Sequence, residues 1–398
     1  MSRRILSLTK LCRFSSFCRF SAFVCAAFVL SACVAPSTPR LATTHDLDSQ
    51  TPQASRDSRA TTITISFVGD CVLGDYKGAS GATFNAKFKE VGGDYDYFSK
   101  GVREVLEKDD LSVGNLEGVL TDKDLKNAFI KPFSFKGPSI YTNILKAASI
   151  ESVNIANNHT RDYGAQGFKD TLAILTQANI AHFGEGILDV REIKGRKFGF
   201  AGHRGWNPAI KHTAKKEIES LRAQGAEIVI FVFHWGEERE HIANKIQREI
   251  AHFVIDSGAD LIIGHHPHVL QGIEEYKGKK IVYSLGNFIY GGAKNPKDKD
   301  TMIYQVEFRF YDNETESRAD FEKLIRDPSL EARYVSNLTP LDRWEELNTL
   351  LLHRIIPANI SSQNAYNDYS PRIYEEGGEE YRRVLERVRA YSEALKEE

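Results

Sequence analysis

Three histidines, His265, His266 and His268, lie together at the end of the apolar run "LIIGHHPHVL". Imidazole nitrogens bind metals and transfer protons near neutral pH, so this cluster predicts chemistry rather than simple packing. In an extended segment, successive side chains alternate between two sides. His266 and His268 are therefore expected to face one site and bind a metal, while His265 is expected to point away and support the site or the fold.

Acidic, amide and imidazole side chains also end several other apolar runs. The runs ITISFVGD, LSVGNLE, SVNIANNH and EIVIFVFHWG contain Asp70, Glu117, Asn158, His159 and His234. Turns favour Gly, Pro, Asn, Asp and Ser, so turn chemistry explains histidine and glutamate at these ends poorly. Carboxylate, imidazole and amide groups without sulfur suit Mn, Fe or Zn better than Ca or Mg. We predict a divalent metal site where Asp70, Glu117, Asn158, His159, His234 and the histidine cluster meet.

Each predicted ligand also has an interpretation without a metal. Asp70 could cap a turn, Glu117 could be a solvated loop acid, and Asn158 could be a left-handed turn residue. His234 could pack against its neighbour Trp235. The metal interpretation is favoured because the same kinds of side chain recur at the ends of separate runs.

The runs themselves predict the elements that bring these residues together. Most are continuous stretches of Val, Ile, Leu and Phe, including KFGFAGH, ADLIIGHHPH and KIVYSLGNF, which is typical of strands buried on both faces. Helix candidates lie between them: YTNILKAAS, AQGFKDTLAILTQAN, AKKEIESLRAQG and NKIQREIAHFVIDSG. The glycines in AQGAE and DSGAD suit left-handed helix caps. We therefore predict a layered α/β domain whose strands end at one common edge.

The motifs stop after about residue 311. The alternating stretch MIYQVEFRFYDNETES predicts a last strand, at the edge of a sheet, followed by a turn. Amphipathic helices are predicted over residues 340–355 and 374–398. The terminal helix carries a core-facing stripe of Val384, Leu385, Val388, Tyr391 and Leu395. We expect a main domain over residues 61–311 and a mainly helical extension over residues 312–398.

The N-terminus predicts export. Residues 1–33 are basic and then apolar, which is the order of a secretory signal. They end in LSAC, which resembles the bacterial lipoprotein cleavage box, and by that resemblance Cys33 is the lipidated mature N-terminus; the alternative is a plain signal peptide. Residues 34–60 are rich in Ser, Thr, Pro and Ala and predict a flexible tether. We expect an extracytoplasmic lipoprotein anchored to a membrane, and Val34 is compatible with an outer membrane where the source has one.

Composition excludes some classes of protein. The 398-residue chain has a formal net charge of -2, which gives no electrostatic reason to expect nucleic-acid binding. Four of the five cysteines lie in the signal segment, so neither a disulfide framework nor a zinc ribbon is expected. The remaining Cys71 is expected to be a small buried residue, because its side chain alternates with that of Asp70.

The motifs, in this order, resemble the CapA-type proteins of poly-γ-glutamate capsule synthesis, distant relatives of the calcineurin-like metallophosphoesterases. The matching stretches are FVGDCVLG, NLEGVLT, NIANNHTRDYGAQG, HWGEE, DSGADLIIGHHPHVLQ and YSLGNF. The resemblance implies a four-layer α/β/β/α sandwich with a metal site at the strand ends. It makes Asp70 the first metal-binding acid, Glu117 the bridging acid and Asn158 the amide ligand. By the same resemblance, the later imidazole ligands are His234, His266 and His268, and His159 contacts the substrate.

The chain departs from ordinary metallophosphoesterases at two motifs. Asp70 is followed by Cys71 and Val72, so the histidine of an Asp-x-His motif is missing, and the second motif reads GNLE instead of Gly-Asp with a further Asp. Both departures are shared with the CapA pattern, and they leave open whether one ion or two are bound. Five residues beside the motifs are expected to support ligands or meet an anionic substrate: Arg161, Asp162, Glu238, His265 and Asn287.

The predicted function follows from the metal. A bound divalent ion lowers the pKa of water and polarises the bond under attack, and neutral His159 is the candidate for proton transfer. We expect a hydrolase that cleaves a phosphoester or a γ-glutamyl amide in capsule or envelope polymer metabolism. The alternative is a non-enzymatic component of capsule assembly or export. The expected partners are a membrane through the lipid anchor, an anionic polymer and other capsule synthesis or export proteins, without nucleic acid.

Overall fold

A computed structural model describes residues 60–129, 131–326, 339–340 and 348–396. The predicted signal segment and tether, with Cys33, lie outside these ranges. Within them, none of the helices has the length and apolar character needed to cross a membrane.

The strands alternate with helices through most of the described chain. The strands are β1 (Thr61–Val72), β2 (Asp75–Tyr76), β3 (Leu111–Leu116), β4 (Val119–Leu120), β5 (Phe135–Gly137), β6 (Ser152–Asn154), β7 (Ala181–Phe183), β8 (Asp189–Ile193), β9 (Arg196–Arg204), β10 (Ile228–His234), β11 (Leu261–His265), β12 (Ile273–Tyr276), β13 (Lys279–Val282), β14 (Asn287–Tyr290), β15 (Asp300–Phe310), β16 (Thr339–Pro340), β17 (Thr349–Asn359) and β18 (Arg372–Ile373). The buried runs predicted from the sequence all contain strands.

The four predicted helices between the runs are confirmed. The helices are α1 (Phe84–Glu90), α2 (Arg103–Leu106), α3 (Thr142–Ala147), α4 (Gly164–Gln177), α5 (Ile210–Ala223), α6 (Lys245–Asp256), α7 (Glu314–Leu324) and α8 (Glu379–Ala394). Gly225 and Gly258 follow α5 and α6 with positive φ of 91° and 107°, which confirms the predicted left-handed caps. Asn244 and Gln247 form a capping box that begins α6.

Two large sheets carry the site. In the described residues, the first sheet runs β16-β17-β15-β1-β3-β6-β7, with β14 beside β1 and β18 beside β17. The second sheet runs β12-β13-β11-β10-β9-β8, and a small third sheet runs β2-β5-β4. Strands β14, β1, β3, β6 and β7 are parallel, as are β9, β10, β11 and β13. The carboxyl ends of each parallel set therefore lie at one edge, where sites form in α/β folds.

The sheets pack face to face between two layers of helices. Phe67 of the first sheet and Phe200, Ile230 and Ile263 of the second belong to one buried apolar cluster. The other face of the first sheet buries side chains of α1, α3 and α4, and the other face of the second sheet buries those of α5 and α6. The predicted four-layer α/β/β/α sandwich is confirmed.

The run KIVYSLGNF forms two strands in different sheets. Its first half is β13 of the second sheet, and its second half is β14, which pairs with β1 of the first sheet. The chain crosses between the sheets at Gly286, where φ is 73°. This crossing places Asn287 opposite Asp70.

Three expectations for the C-terminal region are wrong. The helix predicted over residues 340–355 is β17 from Thr349 onward. The strand β15 is neither last nor at an edge, because β17 pairs with it along its whole length. The described part of residues 312–398 is not mainly helical, and β17 extends the first sheet of the main domain. The segment TLLLHRII is largely apolar, and a short apolar run does not by itself distinguish a buried helix from a buried strand.

The predicted terminal helix is confirmed as α8. Tyr381, Val384 and Val388 are buried in the cluster between the two sheets, and Leu395 joins the cluster outside the second sheet. Gly272 permits a close approach, since a Cβ there would lie 2.7 Å from the backbone of Tyr391. The helix therefore docks on the core, as its apolar stripe predicted.

Candidate metal centre

A row of buried polar residues lies across four parallel strands, near the carboxyl ends of β1, β3 and β6 and at the first residue of β14. Asp70 of β1 is paired in register with Asn287 of β14 on one side and with Asn115 of β3 on the other, and Asn115 is paired with Asn154 of β6. All four residues are buried. Buried polar groups need partners, so this row predicts a hydrogen-bonded network beneath the site.

Asp70 is surrounded by donors. Asn115 Nδ2 donates to its Oδ1 at 2.7 Å, and the backbone N–H of His266 donates to its Oδ2 at 3.3 Å. His265 Nδ1 and His268 Nδ1 each lie 3.2 Å from the carboxylate. Burial alone would raise the pKa of Asp70, but the contacts with His265 and His268 hold it well below its usual range. Asp70 is therefore an anion that orients groups from both sheets.

The histidine cluster forms a turn rather than the extended segment that the sequence predicted. Strand β11 ends at His265, and His266 and His268 have positive φ of 100° and 57°, which is uncommon for residues other than glycine. The alternation argument therefore fails, and its expectation that His265 points away is wrong, because His265 contacts Asp70. Such strained backbone is found where a structure holds residues for a function.

Glu117 follows β3 and is buried among imidazoles. Its Oε1 lies 3.7 Å from His159 Nε2, 3.7 Å from His234 Nε2 and 3.9 Å from His268 Nε2. Within the described residues, neither carboxylate oxygen has a hydrogen-bond partner. Burial raises the pKa of Glu117 to about 8, although the charge of His268 opposes this. An acid that is buried without donors is costly, which indicates a place for a cation.

Two overlapping groups of side chains have the geometry of a metal site. Asp70, Glu117 and His268 form the Asp70 half, and Glu117, His234 and His266 form the His234 half. In each half, one ligand atom per residue lies within 4.8 Å of the others. Burial lowers the pKa of His266 to about 3, and no described residue forms a hydrogen bond with its Nδ1. A neutral imidazole and an unpaired carboxylate suit a divalent metal, so the residues fit such an ion.

Asn158 and His234 face each other at the entrance of the His234 half. Asn158 Oδ1 lies 2.8 Å from His234 Nε2. Asn158 is exposed, whereas His234 is fully buried, and burial lowers the pKa of His234 well below its usual value. The two predicted ligands are therefore adjacent, and His234 is neutral.

His159 is held by Asp162 and Lys131. Its Nδ1 lies 2.8 Å from Asp162 Oδ2, which also accepts the backbone N–H of Phe135 at 2.7 Å. Lys131 Nζ forms an ion pair with the other oxygen of Asp162 and lies 3.2 Å from His159 Nδ1. Burial lowers the pKa of His159, although Asp162 opposes this. Because the carboxylate only accepts, His159 donates from Nδ1 and directs its Nε2 towards Glu117.

The other predicted supporting residues have separate places. Asn287 Oδ1 lies 2.9 Å from His268 Nδ1. Glu238 is exposed, and its charge acts on both Glu117 and His268. Arg161 does not join the site in the described residues: its guanidinium lies over the ring of Phe168 and near Glu185.

Sequence reasoning missed three residues of the site. Asn115 lies inside the motif GNLE, two residues before the predicted ligand Glu117. Lys131 and Trp206 come from loops, and the Trp206 ring lies 4.8 Å from the His266 ring. A single lysine or tryptophan in a loop belongs to no periodic pattern or motif, so only the fold shows that these two residues lie at the site.

The part of the chain that forms the candidate site is similar in sequence to known proteins. Residues 64–291, which include all the predicted ligands, match the family model described as Bacterial capsule synthesis protein PGA_cap. The chain is 33% identical over 267 residues to the PGA biosynthesis protein CapA of Bacillus subtilis (strain 168), covering 61% of this chain and 68% of that protein. It is 30% identical over 275 residues to the Capsule biosynthesis protein CapA of Bacillus anthracis, covering 62% of this chain and 64% of that protein.

Solved structures give a more distant match. The NAD nucleotidase (NadN) of Haemophilus influenzae aligns with a TM-score of 0.39 and 14% sequence identity. The alignment covers 83% of this chain and 63% of that chain.

Proposed function

This chain belongs to the bacterial capsule synthesis protein PGA_cap family, and from that membership we propose that it is a metal-dependent hydrolase of capsule polymer synthesis. The observation that carries the proposal is the buried carboxylate of Glu117. Its two oxygens have no hydrogen-bond partner in the part of the chain that the structure describes, although three imidazole Nε2 atoms lie within 4 Å of Oε1. A divalent cation among these groups would compensate the buried charge.

The proposed ligands are Asp70 and Glu117 with the imidazoles and the amide around them: His234, His266, His268 and Asn158. Mn, Fe or Zn suits this set, as one ion or two. When bound, the ion would lower the pKa of a water molecule and polarise the bond under attack. The Asp162 contact keeps the proton of His159 on Nδ1, so its Nε2 is free to take up or return a proton at the site.

The proposed substrate is an anionic capsule polymer such as poly-γ-glutamate. The printed names of the two CapA relatives support capsule or PGA biosynthesis as the setting. The scissile bond is a phosphoester or a γ-glutamyl amide, because metal-assisted attack by water suits both. Other capsule synthesis or export proteins are the proposed partners.

We further propose that lipid on Cys33 anchors the protein outside the cytoplasm. The support is the basic, apolar and LSAC order of the signal segment. Cys33→Ser should move the protein from the membrane fraction to the soluble fraction of cells. Retention of this variant in the membrane fraction would contradict the proposed anchor.

The hydrolase proposal is tested on the full-length protein loaded with Mn²⁺. The probes are bis(p-nitrophenyl) phosphate and γ-glutamyl-p-nitroanilide, and the variants are His159→Asn and the control His212→Asn. We expect turnover of one probe, a loss of about 100-fold or more in His159→Asn, and no change in the control. Bound metal without turnover dependent on His159 would favour the alternative, a non-enzymatic component of capsule assembly or export.

A further inference from the structure

Asn115 lies beneath both halves of the candidate metal centre. It is fully buried on β3, and its amide contacts side chains of three other strands. Its Nδ2 is 2.7 Å from Asp70 Oδ1 and 3.2 Å from His234 Nδ1. It is thus the one amide in this network that touches a predicted ligand from each half.

The hydrogen bonds around Asn115 have a fixed direction. At one end, the backbone N–H of Ala156 donates to Asn154 Oδ1 at 3.2 Å, so Asn154 must donate from Nδ2. Asn154 Nδ2 donates to Asn115 Oδ1 at 2.8 Å. At the other end, Asp70 only accepts, so Asn115 presents its Nδ2 there. Both ends of this series of hydrogen bonds therefore assign the same orientation to the Asn115 amide.

This orientation determines the tautomer of His234. Asn115 Nδ2 carries only hydrogens towards His234, so His234 Nδ1 must accept. The proton of the neutral imidazole is then on Nε2, and it donates to Asn158 Oδ1 at 2.8 Å. A nitrogen that carries a proton has no lone pair for a metal, so Nε2 must lose this proton before it binds an ion.

His268 has the opposite arrangement. Its Nδ1 lies 2.9 Å from Asn287 Oδ1 and 3.2 Å from Asp70 Oδ2. Asn287 donates from Nδ2 to the backbone carbonyl of His268, so its Oδ1 is the acceptor and His268 donates from Nδ1. When His268 is neutral, its one proton is therefore on Nδ1, and its Nε2 faces Glu117 without a proton. A metal-binding histidine usually donates its other ring N–H to a nearby acceptor, which fixes its tautomer, and His268 makes such a contact.

We propose that Asn115 is a positioning residue that makes the two halves unequal: the Asp70 half is prepared for an ion, and the His234 half is held in the wrong tautomer. The inference rests on the proposed metal centre. A first ion binds tightly to the Asp70 half. A second ion binds weakly to the His234 half, because the Asn115 amide must turn and would then place its oxygen against Asp70.

Asn115→Asp reverses the tautomer without changing the shape of the side chain. A carboxylate accepts from His234 Nδ1–H, which frees Nε2 for an ion. The new acid lies close to Asp70 and lowers the stability of the protein when no metal is bound. If the variant does not fold, the measurement on the wild type decides the inference. Asn359→Asp is the matched control, because Asn359 is also buried but its side chain contacts Tyr374 and Ser361, away from the site.

The first experiment is ¹⁵N NMR of metal-free, full-length protein labelled at histidine, with His234 assigned from His234→Asn. We expect a protonated Nε2 and an unprotonated Nδ1 in the wild type, and the reverse in Asn115→Asp. A wild-type His234 with its proton on Nδ1 would overturn the inference. This result does not depend on whether any ion binds.

The second experiment is a Mn²⁺ titration by equilibrium dialysis. We expect one tight and one weaker ion in the wild type and in Asn359→Asp, and a second ion that binds about 10- to 100-fold more tightly in Asn115→Asp. Unchanged affinity for the second ion in Asn115→Asp would overturn the inference. A wild type that binds no Mn²⁺ would instead overturn the proposed function, and the tautomer of His234 would still decide the role of Asn115.

Discussion

The buried carboxylate of Glu117 carries a cost that the proposed metal would offset. Both oxygens are buried without a donor among the described residues, so Glu117→Gln should raise the free energy of unfolding in chelator, by about 1 to 3 kcal/mol. The same variant should lose bound metal, because the shared ligand of both halves is removed. Chemical denaturation with and without Mn²⁺ measures both effects.

Glu217→Gln is the matched control for this prediction. Glu217 is also an acid with little exposure, but its Oε1 pairs with His203 Nε2 at 2.9 Å outside the site. Its substitution should not raise stability and should leave bound metal unchanged. A Glu117→Gln protein that is less stable than wild type in chelator would contradict the account of this buried charge.

His353, which is not a residue of the site, makes the free energy of unfolding depend on pH. Burial lowers its pKa to about 3, and the charge of Lys280 acts in the same direction. Below the ordinary pKa of 6.5, the unfolded chain takes up a proton that the folded protein excludes, so stability falls as the pH drops towards 3. This residue contributes a slope of about 1.4 kcal/mol per pH unit in that window.

His353→Gln removes this titration and retains an acceptor for the Tyr304 hydroxyl, which lies 2.8 Å from His353 Nδ1. Denaturation of both proteins from about pH 7 to about pH 4 should show the wild type losing stability relative to the variant. A constant difference between the two proteins across this range would show that His353 is not held neutral.

At the residue scale, the sequence predicted which side chains form the site better than it predicted the directions in which they point. The sequence indicated the residues that meet at the site, since all five lie within about three residues of the end of a buried strand: Asp70, Glu117, His234, His266 and His268. It did not predict that His265 contacts Asp70, because the left-handed turn after β11 is formed by residues other than glycine. The role of Asn115 depends on its register with Asp70, which a motif does not contain.

Glycines allow the strands to approach one another at the site. A Cβ on Gly264 of β11 would lie 2.0 Å from the carbonyl oxygen of Tyr283 and 2.5 Å from Trp235 Nε1. Gly264→Ala should therefore lower the free energy of unfolding by about 3 kcal/mol or more, and it should reduce metal binding by displacing the turn that follows. Denaturation and bound metal are the measurements.

Gly114→Ala on β3 is the comparison for this prediction. A Cβ there would meet the Val68 side chain at 3.3 Å, which a small shift of a methyl group can relieve. This variant should be clearly more stable than Gly264→Ala. Equal losses in the two proteins would mean that backbone contacts of Gly264 do not limit the packing.

At the element scale, the sequence predicted the parallel strands and their helices well. Continuous apolar runs bounded by glycine-capped helices have few other solutions in an α/β domain. The failures are β17 and the division of KIVYSLGNF between the two sheets. The short apolar segment of β17 has no glycine helix caps beside it that would show whether it is helix or strand. The crossing at Gly286 depends on which sheet has space for β14.

At the scale of the whole molecule, α8 joins the C-terminus to the core through Asp300. This buried carboxylate accepts hydrogen bonds from Arg383 Nη2 at 2.7 Å and from the Tyr374 hydroxyl at 3.0 Å, and it also pairs with Arg387. Asp300→Asn should lower the free energy of unfolding by about 2 kcal/mol, because hydrogen bonds between charged groups are lost. The partial exposure of Arg383 limits the loss.

An exposed ion pair provides the control for Asp300. Glu104 of α2 and Lys108, which follows the helix, pair on the surface, and Glu104→Gln should not change stability measurably. Urea denaturation compares the two variants. If Asp300→Asn also leaves stability unchanged, α8 is held by its apolar contacts alone.

The central claim is that the two sheets hold a metal centre at their common edge. The most direct test is the amount of divalent metal bound to purified full-length protein, measured by elemental mass spectrometry before and after chelation. The account predicts stoichiometric bound metal in the wild type, its loss in Glu117→Gln, and a lower melting temperature of the wild type after chelation. A metal-free wild type whose melting temperature does not change with chelator or added Mn²⁺ would contradict it.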